Sequence, residues 1–560
     1  MRYYYKDRDY WHIGFDYDAG LVREVKSFAK SGYNPENKEW YIPVHILTSA
    51  SIIQWLKDRD FTEGVVYTPS RRVLDYEEPV EIISPNDVAA ACKELGLKRT
   101  PRPYQCEGIA YMINHGNCIN GDDCGLGKTG QSIVTTELLN CFPVLVICPA
   151  SVKFNWKKEW GKWNPNRTVG VVEKKGKKGV DPEIWNNDVV IINFDILGER
   201  NADKPTAKFK ELTKKFWGGC IIDEIHFLKS EKALRTRMAK KVTRSIPHIW
   251  GLTGTLTQNR PSELMQPYQI LRRFSEIFGD TMSFRYRYCD GKYTEFGFDS
   301  SGFSNLEELH ELLRMAGYVR REKRDVLKDL PPLVEQTVDV PITNEKIYRH
   351  AEDDLLEYLE TIDVGKASSA ANAPHLVMIN TLKKLSIEGK MQFIKSYIKD
   401  WLESNEDKQL VVFGVHREPL QELAEHFKAP VIQGGVSIEG KQKIVDEFAS
   451  LQHRLLFANI QSAGTGTDGL QTHCSDMFYI ELPDKSTEIQ QTNARLERMG
   501  QQSTVNITYL LSPNTIDVEL METIESKKLL TGVVNAGFSE NELIARKFLR
   551  KVRGNTDEPL

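Results

Sequence analysis

The stretch 122–129, which reads Asp-Asp-Cys-Gly-Leu-Gly-Lys-Thr, constrains the fold of this chain more than any other feature. Glycines beside a Lys-Thr pair let a loop turn its backbone N–H groups toward phosphate oxygens, with the lysine on the β/γ oxygens and the hydroxyl on Mg²⁺. A short strand pattern at 118–120 precedes the loop. Ile133, Val134 and Leu138 follow it at helical spacing. Strand, loop and helix in this order predict a nucleotide site.

The loop departs from the strict pattern at one position, because Asp122 stands five residues before Gly127, where that pattern has glycine. Just upstream, the segment 102–105 ends in a glutamine whose amide could read the edge of adenine. We expect Lys128 to be catalytic and Thr129 to hold Mg²⁺. The predicted nucleotide-binding residues are Arg102, Gln105, Asp122, Asp123, Cys124, Gly125, Leu126, Gly127, Lys128 and Thr129.

Two sets of apolar runs have the composition of fully buried strands. The first set is 144–148, 189–192, 220–222 and 249–252. Continuous β-branched runs separated by helix-length segments predict a parallel sheet covered on both faces, which is a doubly wound α/β fold. A second set predicts a second parallel sheet that has no Gly-Lys-Thr loop. Its strands are 410–413, 430–432, 455–458, 477–480 and 505–511.

Polar residues follow two strands of the first predicted sheet, at the end where ligands bind in this fold class. Asp223 comes directly after the third strand and could hold Mg²⁺ through water, while the adjacent Glu224 could polarise the attacking water. The turn 252–259 is dense in hydroxyls and amides. Its Thr255 and Gln258 could sense the nucleotide and pass that signal to a bound strand.

The second predicted sheet offers the stretch 490–501, in which Arg495 and Arg498 lie three apart. If the stretch is helical, both guanidinium groups share one face. Opposite the phosphates of the first sheet they would neutralise charge in the transition state, an effect of about 10³ to 10⁵ in rate in related chemistry. The alternative is a helix with two surface arginines.

Composition bounds the class of protein without deciding its partner. With 560 residues, of which 40% are hydrophobic, the chain can hold about three or four domains. A formal net charge of −4 argues against a uniformly basic nucleic-acid coat but leaves room for a basic cleft. The nine cysteines lack zinc-binding spacing, and no apolar run of about 18 residues occurs. We therefore expect reduced thiols, no membrane contact and a monomer in the cytosol or nucleus.

Taken in order, these motifs resemble the first motor lobe of superfamily-two helicases, and within them the Swi/Snf-type DNA translocases. The stretches that carry the resemblance are 122–129, 148–151, 155–159, 223–226 and 252–260 in the first lobe and 490–501 in the second. In that family an aspartate at the position of Asp122 is ordinary, so the departure noted above supports the resemblance. The resemblance implies two RecA-like lobes that close over ATP and Mg²⁺, with DNA lying across both.

The resemblance also implies roles for individual residues. The glycine-rich stretch 463–468 would face nucleic acid and the cleft between the lobes, with Gly466 on the nucleotide. The implied catalytic residues are Lys128, Asp223, Glu224, Gln491, Arg495 and Arg498, with Thr129 and Asp223 on Mg²⁺. The implied nucleic-acid contacts are Ser151, Lys153, Asn155, Trp156, Thr255, Gln258, Ala463 and Gly464.

The chain departs from the family pattern in both lobes. Leu256 replaces the usual proline, and the stretch 482–484, Leu-Pro-Asp, replaces Trp-Asn-Pro. Asn493, Ala494 and Glu497 replace an acidic pair and a histidine that are common in chromatin remodellers. These departures predict a divergent branch of bacterial or viral origin, with a cytoplasmic location. A nuclear location is expected if the source is eukaryotic.

A small α+β module is predicted at the N-terminus. Its stretch 32–43, Gly-Tyr-Asn-Pro-x-x-x-x-Trp-Tyr-Ile-Pro, resembles the HARP domain of annealing helicases, which implies recognition of branched DNA. The alternative is a packing domain for the neighbouring core. The predicted divisions are 1–66 recognition module, 67–85 linker, 86–260 first lobe with the ATP site, 261–345 helical protrusion or brace, 346–387 helical connector, 388–535 second lobe and 536–560 C-terminal tail.

The sequence therefore predicts an α/β protein with two RecA-like doubly wound parallel-sheet lobes, a helical insertion and the N-terminal module. Its predicted function is ATP hydrolysis that drives movement on duplex, forked or branched DNA, for fork remodelling or strand annealing. Two alternatives stay open. One is an RNA-directed or polymerase-associated translocase, and the other is an ATP-gated clamp that holds DNA without stepping.

Overall fold

The structure is a computed structural model, which describes residues 3–6, 10–15, 17–34, 39–44, 49–59, 61–63, 79–173, 180–200, 205–257, 260–294, 297–353, 374–463 and 469–525. The chain divides into two compact units. The first comprises 1–78 and 274–305, and the second comprises 79–273 and 306–560. The predicted tail 536–560 and most of the predicted linker, 67–78, lie outside the described residues.

The first unit contains a five-stranded sheet. Its strands have the spatial order Gly32–Asn34, Glu39–Pro43, Tyr10–Gly14, Tyr3–Lys6 and Thr62–Glu63. Neighbouring strands are antiparallel except for the last pair, which is parallel. The helices Ala19–Ser27 and Ser49–Lys57 contribute Leu21 and Ile52 to a core that they share with Ile13 of the sheet. The N-terminal residues therefore form an α+β arrangement.

Residues 274–305, which the sequence assigns to the helical brace, belong to this first unit. They form the helices Phe274–Phe278 and Thr281–Tyr288 and a hairpin of Lys292–Thr294 with Gly297–Asp299. The ring of Tyr286 lies 5.9 Å from that of Tyr10 and 5.2 Å from that of Phe298. Aromatic packing thus joins the insertion to the N-terminal module across a long sequence separation, which residue periodicity does not reveal.

The second unit contains two parallel sheets, and the first of them builds the first lobe. Its seven strands have the spatial order Tyr318–Val319, Cys118–Asn120, His248–Leu252, Gly219–Asp223, Val144–Cys148, Val189–Asn193 and Val169–Val171. All neighbours in this sheet are parallel. Every residue of the strands 144–148 and 189–193 is buried, so both faces of the sheet are covered.

Helices and one small hairpin surround the first sheet. The hairpin pairs Gly198–Arg200 with Pro205–Ala207. The helices are Pro85–Glu94, Pro103–His115, Lys128–Leu139, Lys153–Trp163, Glu211–Lys214, Leu234–Thr243, Met265–Ile270, Leu306–Met315 and Lys323–Val326.

The second sheet builds the second lobe. Its six parallel strands have the spatial order Leu333–Asp339, Val505–Leu511, Cys474–Tyr479, Gln409–Gly414, Leu455–Asn459 and Val431–Ile432. Its helices are Glu345–Asp353, Pro374–Ser404, Arg417–Phe427, Ile438–Ala449, Ile460–Ala463 and Ser486–Asn493. The predicted α/β class with two doubly wound parallel sheets is confirmed. The predicted brace 261–345, however, supplies the edge strand of each sheet, at 318–319 and at 333–339.

A buried ion pair fastens the helix Pro374–Ser404 to the second sheet. Lys390 is fully buried, and its Nζ donates to the Asp517 carboxylate at 2.7 Å and to two backbone carbonyl oxygens. Because Lys390→Ala leaves the buried Asp517 without its cation, we expect the free energy of unfolding to fall by about 3–5 kcal/mol. Equilibrium unfolding in denaturant, followed by circular dichroism, measures this loss.

The matched control for this prediction is Lys384→Ala. Lys384 lies in the same helix, but 58% of its side chain is exposed, and exposed ion pairs contribute little. A loss for Lys390→Ala no larger than that of this control would contradict the expected role of the buried pair.

The described residues also bear on compartment and metal content. No helix among them is both long enough and apolar enough to cross a membrane. In the same ranges, no cluster of three or more His, Cys, Asp or Glu is placed to hold a metal ion. All nine cysteines are free, and eight of them are buried. Burial raises the pKa of Cys141 to about 12, which keeps that thiol protonated at neutral pH.

Candidate active site

The loop 121–127 connects the strand Cys118–Asn120 to the helix Lys128–Leu139. Gly125 and Gly127 have φ angles of +95° and +79°, a conformation that glycine adopts without steric cost. The first amide groups of the helix are directed toward the loop, as in sites that bind anions at a helix N-terminus. Lys128 Nζ donates to the backbone carbonyl oxygens of the loop at Asp122, 2.5 Å, and Asp123, 3.3 Å.

Asp122 anchors this loop to the rest of the lobe. Its side chain is fully buried, and its carboxylate accepts hydrogen bonds from the Arg321 side chain at 2.6 and 3.0 Å and from the Arg321 backbone N–H at 3.1 Å. Gln131 Nε2 donates to the same carboxylate at 2.9 Å. The Asp122 carboxylate therefore anchors the loop inside the protein, and its contact with the nucleotide stays a prediction.

The Gln105 side chain also forms hydrogen bonds inside the first lobe. Its Oε1 accepts from the backbone N–H of Arg102 at 3.0 Å, and its Nε2 donates to the carbonyl oxygen of Leu126 at 3.2 Å. A Cβ at Gly127 would fall 2.4 Å from that Nε2. The amide that was expected to read adenine therefore joins the start of a helix to the loop, while Arg102 itself is exposed.

The two acidic residues after the strand Gly219–Asp223 lie in different environments. Trp156 Nε1 donates to the Asp223 carboxylate at 2.8 Å. Burial, and next the neighbouring Glu224 charge, raise the pKa of Asp223 to about 6. Glu224 has a φ of +52°, in the left-handed region where a residue with a Cβ is strained. Such strain is a feature of functional sites, since the surrounding structure must hold it in place.

His226 lies between Glu224 and the next strand end. Glu224 Oε2 lies 3.1 Å from His226 Nδ1, and that nitrogen lies 2.9 Å from Thr253 Oγ1. Thr253 in turn donates to the carbonyl oxygen of Thr255 at 2.9 Å. The turn that was predicted to sense the nucleotide thus contacts His226, which pairs with Glu224.

The pKa of Glu224 reports on the charges around it. Burial raises this pKa, but the hydrogen bond and charge of His226 lower it. The positive charges of Lys128 and Arg495 act in the same direction, and the net result is a lowered pKa. The positive charge of Arg495, in the second lobe, therefore contributes to the lowered pKa of Glu224 in the first lobe.

The segment 495–499 of the second lobe packs against the glycine loop of the first lobe, residues 121–127. A Cβ at Gly125 would lie 3.5 Å from the Cβ of Arg498. The helix Ser486–Asn493 ends before both arginines, so they lie in consecutive turns and not on one helical face as the sequence suggested. Gln491 lies half-buried in that helix. Both arginines nevertheless lie on the side of the second lobe that meets the loop.

Several residues predicted to contact nucleic acid are buried within the two lobes. Lys153 is buried and donates from Nζ to the Val172 carbonyl oxygen at 3.0 Å. Trp156 is buried on Asp223, and Thr255 and Ala463 are also buried. The contacts of these residues with DNA stay predictions. Ser151 and Asn155 are half-buried, while Gln258, Gly464 and Gly466 lie outside the described residues.

Sequence reasoning missed the residues that hold the loop in place. Arg320, Arg321 and Lys323 follow the edge strand Tyr318–Val319, and their charge alone left open a solvated helix or a phosphate contact. Gln131, one turn into the helix after the loop, was missed as well. A polar side chain on the otherwise apolar face of that helix was the available signal for Gln131.

With this geometry in place, comparison with known proteins decides the family. The family model of the SNF2-related domain matches residues 104–391, which is half of the chain. The chain belongs to the SNF2-related family. The predicted resemblance to Swi/Snf-type proteins is confirmed, and the two parallel-sheet lobes of this SNF2-related chain are the RecA-like lobes that it implied.

Curated relatives extend over both lobes. The chain is 32% identical over 456 residues to SWI/SNF-related matrix-associated actin-dependent regulator of chromatin subfamily A-like protein 1 of Xenopus laevis, covering 78% of this chain and 45% of that protein. It is 29% identical over 452 residues to DNA annealing helicase and endonuclease ZRANB3 of Homo sapiens, covering 78% and 40%. This SNF2-related chain thus spans about half the length of the curated relatives it matches. These relatives are animal proteins, so they do not support the predicted bacterial or viral origin.

A solved structure also resembles the chain. The Sulfolobus solfataricus SWI2/SNF2 ATPase core in complex with dsDNA is 20% identical, with 83% of this chain and 98% of that one covered, at a TM-score of 0.37.

Proposed function

We propose that this chain is an ATP-dependent DNA translocase, which hydrolyses ATP to move on duplex or branched DNA. One observation carries the proposal above all others. The segment 495–499 of the second lobe meets the glycine loop of the first, so that the Cβ of Arg498 lies 3.5 Å from the position of a Cβ at Gly125 and the charge of Arg495 acts on Glu224. A site divided between two lobes couples a change in the nucleotide to a change in their separation.

The donor groups at this site fit a nucleotide triphosphate with Mg²⁺. Two glycines with positive φ and a helix N-terminus supply backbone N–H groups, and Lys128 adds a positive charge beside them. Thr129 and Asp223 supply the oxygen ligands that Mg²⁺ prefers. A Mg²⁺ ion held by Thr129 and Asp223 would supply positive charge at the phosphates. Burial raises the pKa of Asp223, and a cation bound to its carboxylate would offset that effect and favour the charged form.

Each side chain then has a distinct task in hydrolysis. Lys128 would leave its present carbonyl partners and bind phosphate oxygens. Glu224, held as a carboxylate by its lowered pKa, orients and polarises the attacking water. Arg495 and Arg498 neutralise the charge that develops on the transferred phosphoryl group.

The DNA substrate is proposed from the family and its relatives. One relative is named as an annealing helicase, and we propose strand annealing or fork remodelling for this chain as well. The module in the first unit is proposed to recognise branched DNA. The animal origin of the relatives favours the nuclear location among the two that the sequence left open.

The function is tested by measuring ATP turnover of the purified chain with single-stranded, duplex, forked and four-way DNA and with duplex RNA. We expect duplex or branched DNA to stimulate turnover, and Lys128→Ala to abolish it because the phosphates lose their side-chain cation. Stimulation by RNA instead would favour the RNA-directed alternative. Stimulation by DNA without displacement of a bound third strand would favour the clamp.

Acid should inhibit the ATPase through Asp223. Because the pKa of Asp223 is about 6, its carboxylate is lost as the pH falls through that value, and turnover should fall with it. Trp156→Phe removes a hydrogen bond that lowers this pKa, so the midpoint of the acid limb should move to higher pH. The pH profile of ATP turnover at limiting Mg²⁺ measures both effects.

The control for the acid limb is Trp185→Phe, which changes a buried tryptophan whose ring packs against Phe209 and not on the Asp223 carboxylate. An identical midpoint for Trp156→Phe and this control would show that another group sets the acid limb.

A further inference from the structure

The segment 318–323, which we name the clasp, runs beside the glycine loop. Its strand Tyr318–Val319 pairs in parallel with Cys118–Asn120, the strand that leads into the loop. Backbone hydrogen bonds continue past the strands, from Gly121 N–H to the Val319 carbonyl at 2.7 Å and from Asp123 N–H to the Arg321 carbonyl at 3.1 Å. The clasp and the loop therefore stay hydrogen-bonded to each other beyond the ends of their strands.

Two arginines of the clasp fix the conformation of the loop. Arg321 binds the buried Asp122 carboxylate through its side chain and its backbone N–H. Arg320 donates to Asp123 Oδ1 at 2.7 Å and to the Gly121 and Gly254 carbonyl oxygens at 3.0 and 2.9 Å. Arg320 thus joins the glycine loop to the turn after the strand His248–Leu252.

The last clasp residue reaches across to the second lobe. Lys323 donates from its backbone N–H to Asp123 Oδ2 at 3.1 Å, and from Nζ to the Glu497 carbonyl oxygen at 2.6 Å and carboxylate at 3.0 Å. Only 8% of the Lys323 side chain is exposed. Its Cε would lie 3.6 Å from a Cβ at Gly125, next to the Cβ of Arg498 at 3.5 Å. Lys323 therefore contacts the loop and the residue that immediately precedes Arg498.

We infer that Lys323 and Glu497 are positioning residues, which seat the arginine segment of the second lobe against the glycine loop. The inference rests on the proposed ATPase function. A charge-assisted hydrogen bond with one partner almost completely buried has a defined geometry, and here one partner is fixed to the loop by the clasp. Since Arg498 directly follows Glu497, loss of this contact displaces the guanidinium that acts in the transition state.

The expected kinetic signature follows from where each contact is made. Ground-state contacts with the nucleotide come from the first lobe, so KM for ATP should change little. Displacing a catalytic group by about 1 Å can cost about a hundredfold in rate, so kcat should fall. A pair that only stabilises the fold would instead lower the fraction of active protein and leave kcat per active site unchanged.

The test is a double-mutant cycle on the full chain, with kcat and KM for ATP measured with saturating duplex DNA. Lys323→Met should lower kcat between about tenfold and a hundredfold with KM within about twofold. Glu497→Gln should lower it less, because its backbone carbonyl still accepts from Lys323. The double variant should be no slower than Lys323→Met, since partners in one contact are not additive. Lys323→Arg should recover part of the rate by keeping the charge.

Lys328→Met is the matched control, because Lys328 is exposed and lies just after the helix Lys323–Val326. Active-site titration, with a thermal melt of each variant, separates loss of active enzyme from slower turnover. Equal kcat for Lys323→Met and Lys328→Met, or additive effects in the cycle, would overturn the inference. If Lys323→Met fails to fold, Glu497→Gln at wild-type kcat overturns it. Wild-type protein without nucleic-acid-stimulated ATPase would overturn the proposed function and, with it, this inference.

Discussion

Replacing Arg498 by alanine should slow ATP turnover by about 10³ to 10⁵-fold while nucleotide affinity stays nearly unchanged. The guanidinium group neutralises charge that is larger in the transition state than in bound ATP, so its loss raises the barrier and leaves ground-state binding almost intact. The position of Arg498 beside Gly125 is the structural reason. Single-turnover hydrolysis and equilibrium binding of a fluorescent ATP analogue measure the two quantities.

Two variants sharpen this test. Arg498→Lys keeps the charge but loses the planar fork that matches phosphate oxygens, so an intermediate rate is expected. Arg244→Ala removes an exposed arginine of the first lobe and should hydrolyse ATP like the wild type. Weaker ATP binding with an unchanged rate constant for Arg498→Ala would place that side chain in ground-state binding and contradict the prediction.

Glu224→Gln should bind ATP normally and hydrolyse it about 10² to 10⁴ times more slowly. Glutamine has nearly the same shape as glutamate but cannot act as a carboxylate toward the attacking water. Binding should persist because the loop and Lys128 are unchanged. The measurements are the rate of phosphate release and the dissociation constant of ATP in the presence of Mg²⁺.

Glu231→Gln is the control for this variant, because Glu231 is exposed on the same lobe and lies after the acidic pair. Turnover of Glu224→Gln within a factor of about three of that control would remove Glu224 from the chemistry. The water would then have to be oriented by another group of the site.

Buried strands and the glycine loop could be predicted from the sequence because their signals are local. The runs 144–148 and 189–192 are β-branched without interruption, and only a sheet covered on both faces buries every such residue. The loop could be predicted because few other structures require these residue types in this order. The positive φ values of Gly125 and Gly127 agree with this prediction.

Contacts between residues far apart in the sequence could not be predicted in the same way. Asp122 and Arg321 are separated by almost 200 positions, and nothing in either stretch marks them as partners. Trp156 looked like a surface residue of a nucleic-acid motif, but its indole N–H is used inside the lobe by Asp223. The packing of the Tyr286 ring against the Tyr10 ring is likewise a tertiary contact, and no periodicity in the sequence indicates it.

The end of the helix Ser486–Asn493 was unpredictable for a different reason. The residues after it, up to the glycine at 500, have no proline or other strong helix breaker. Contacts across the lobes, such as Lys323 with the Glu497 carbonyl oxygen, replace helical hydrogen bonds there. Tertiary structure therefore overrides local helix propensity at the arginines.

The central claim is that the two lobes share one catalytic site. Its most direct test is a structure of the chain with duplex DNA, Mg²⁺, ADP and aluminium fluoride, which imitates the transferred phosphoryl group. We predict that the guanidinium groups of Arg495 and Arg498 lie within hydrogen-bond distance of the fluoride or β-phosphate oxygens bound beside Lys128. A fluoride group contacted by the first lobe alone, with both arginines directed away from it, would contradict the account.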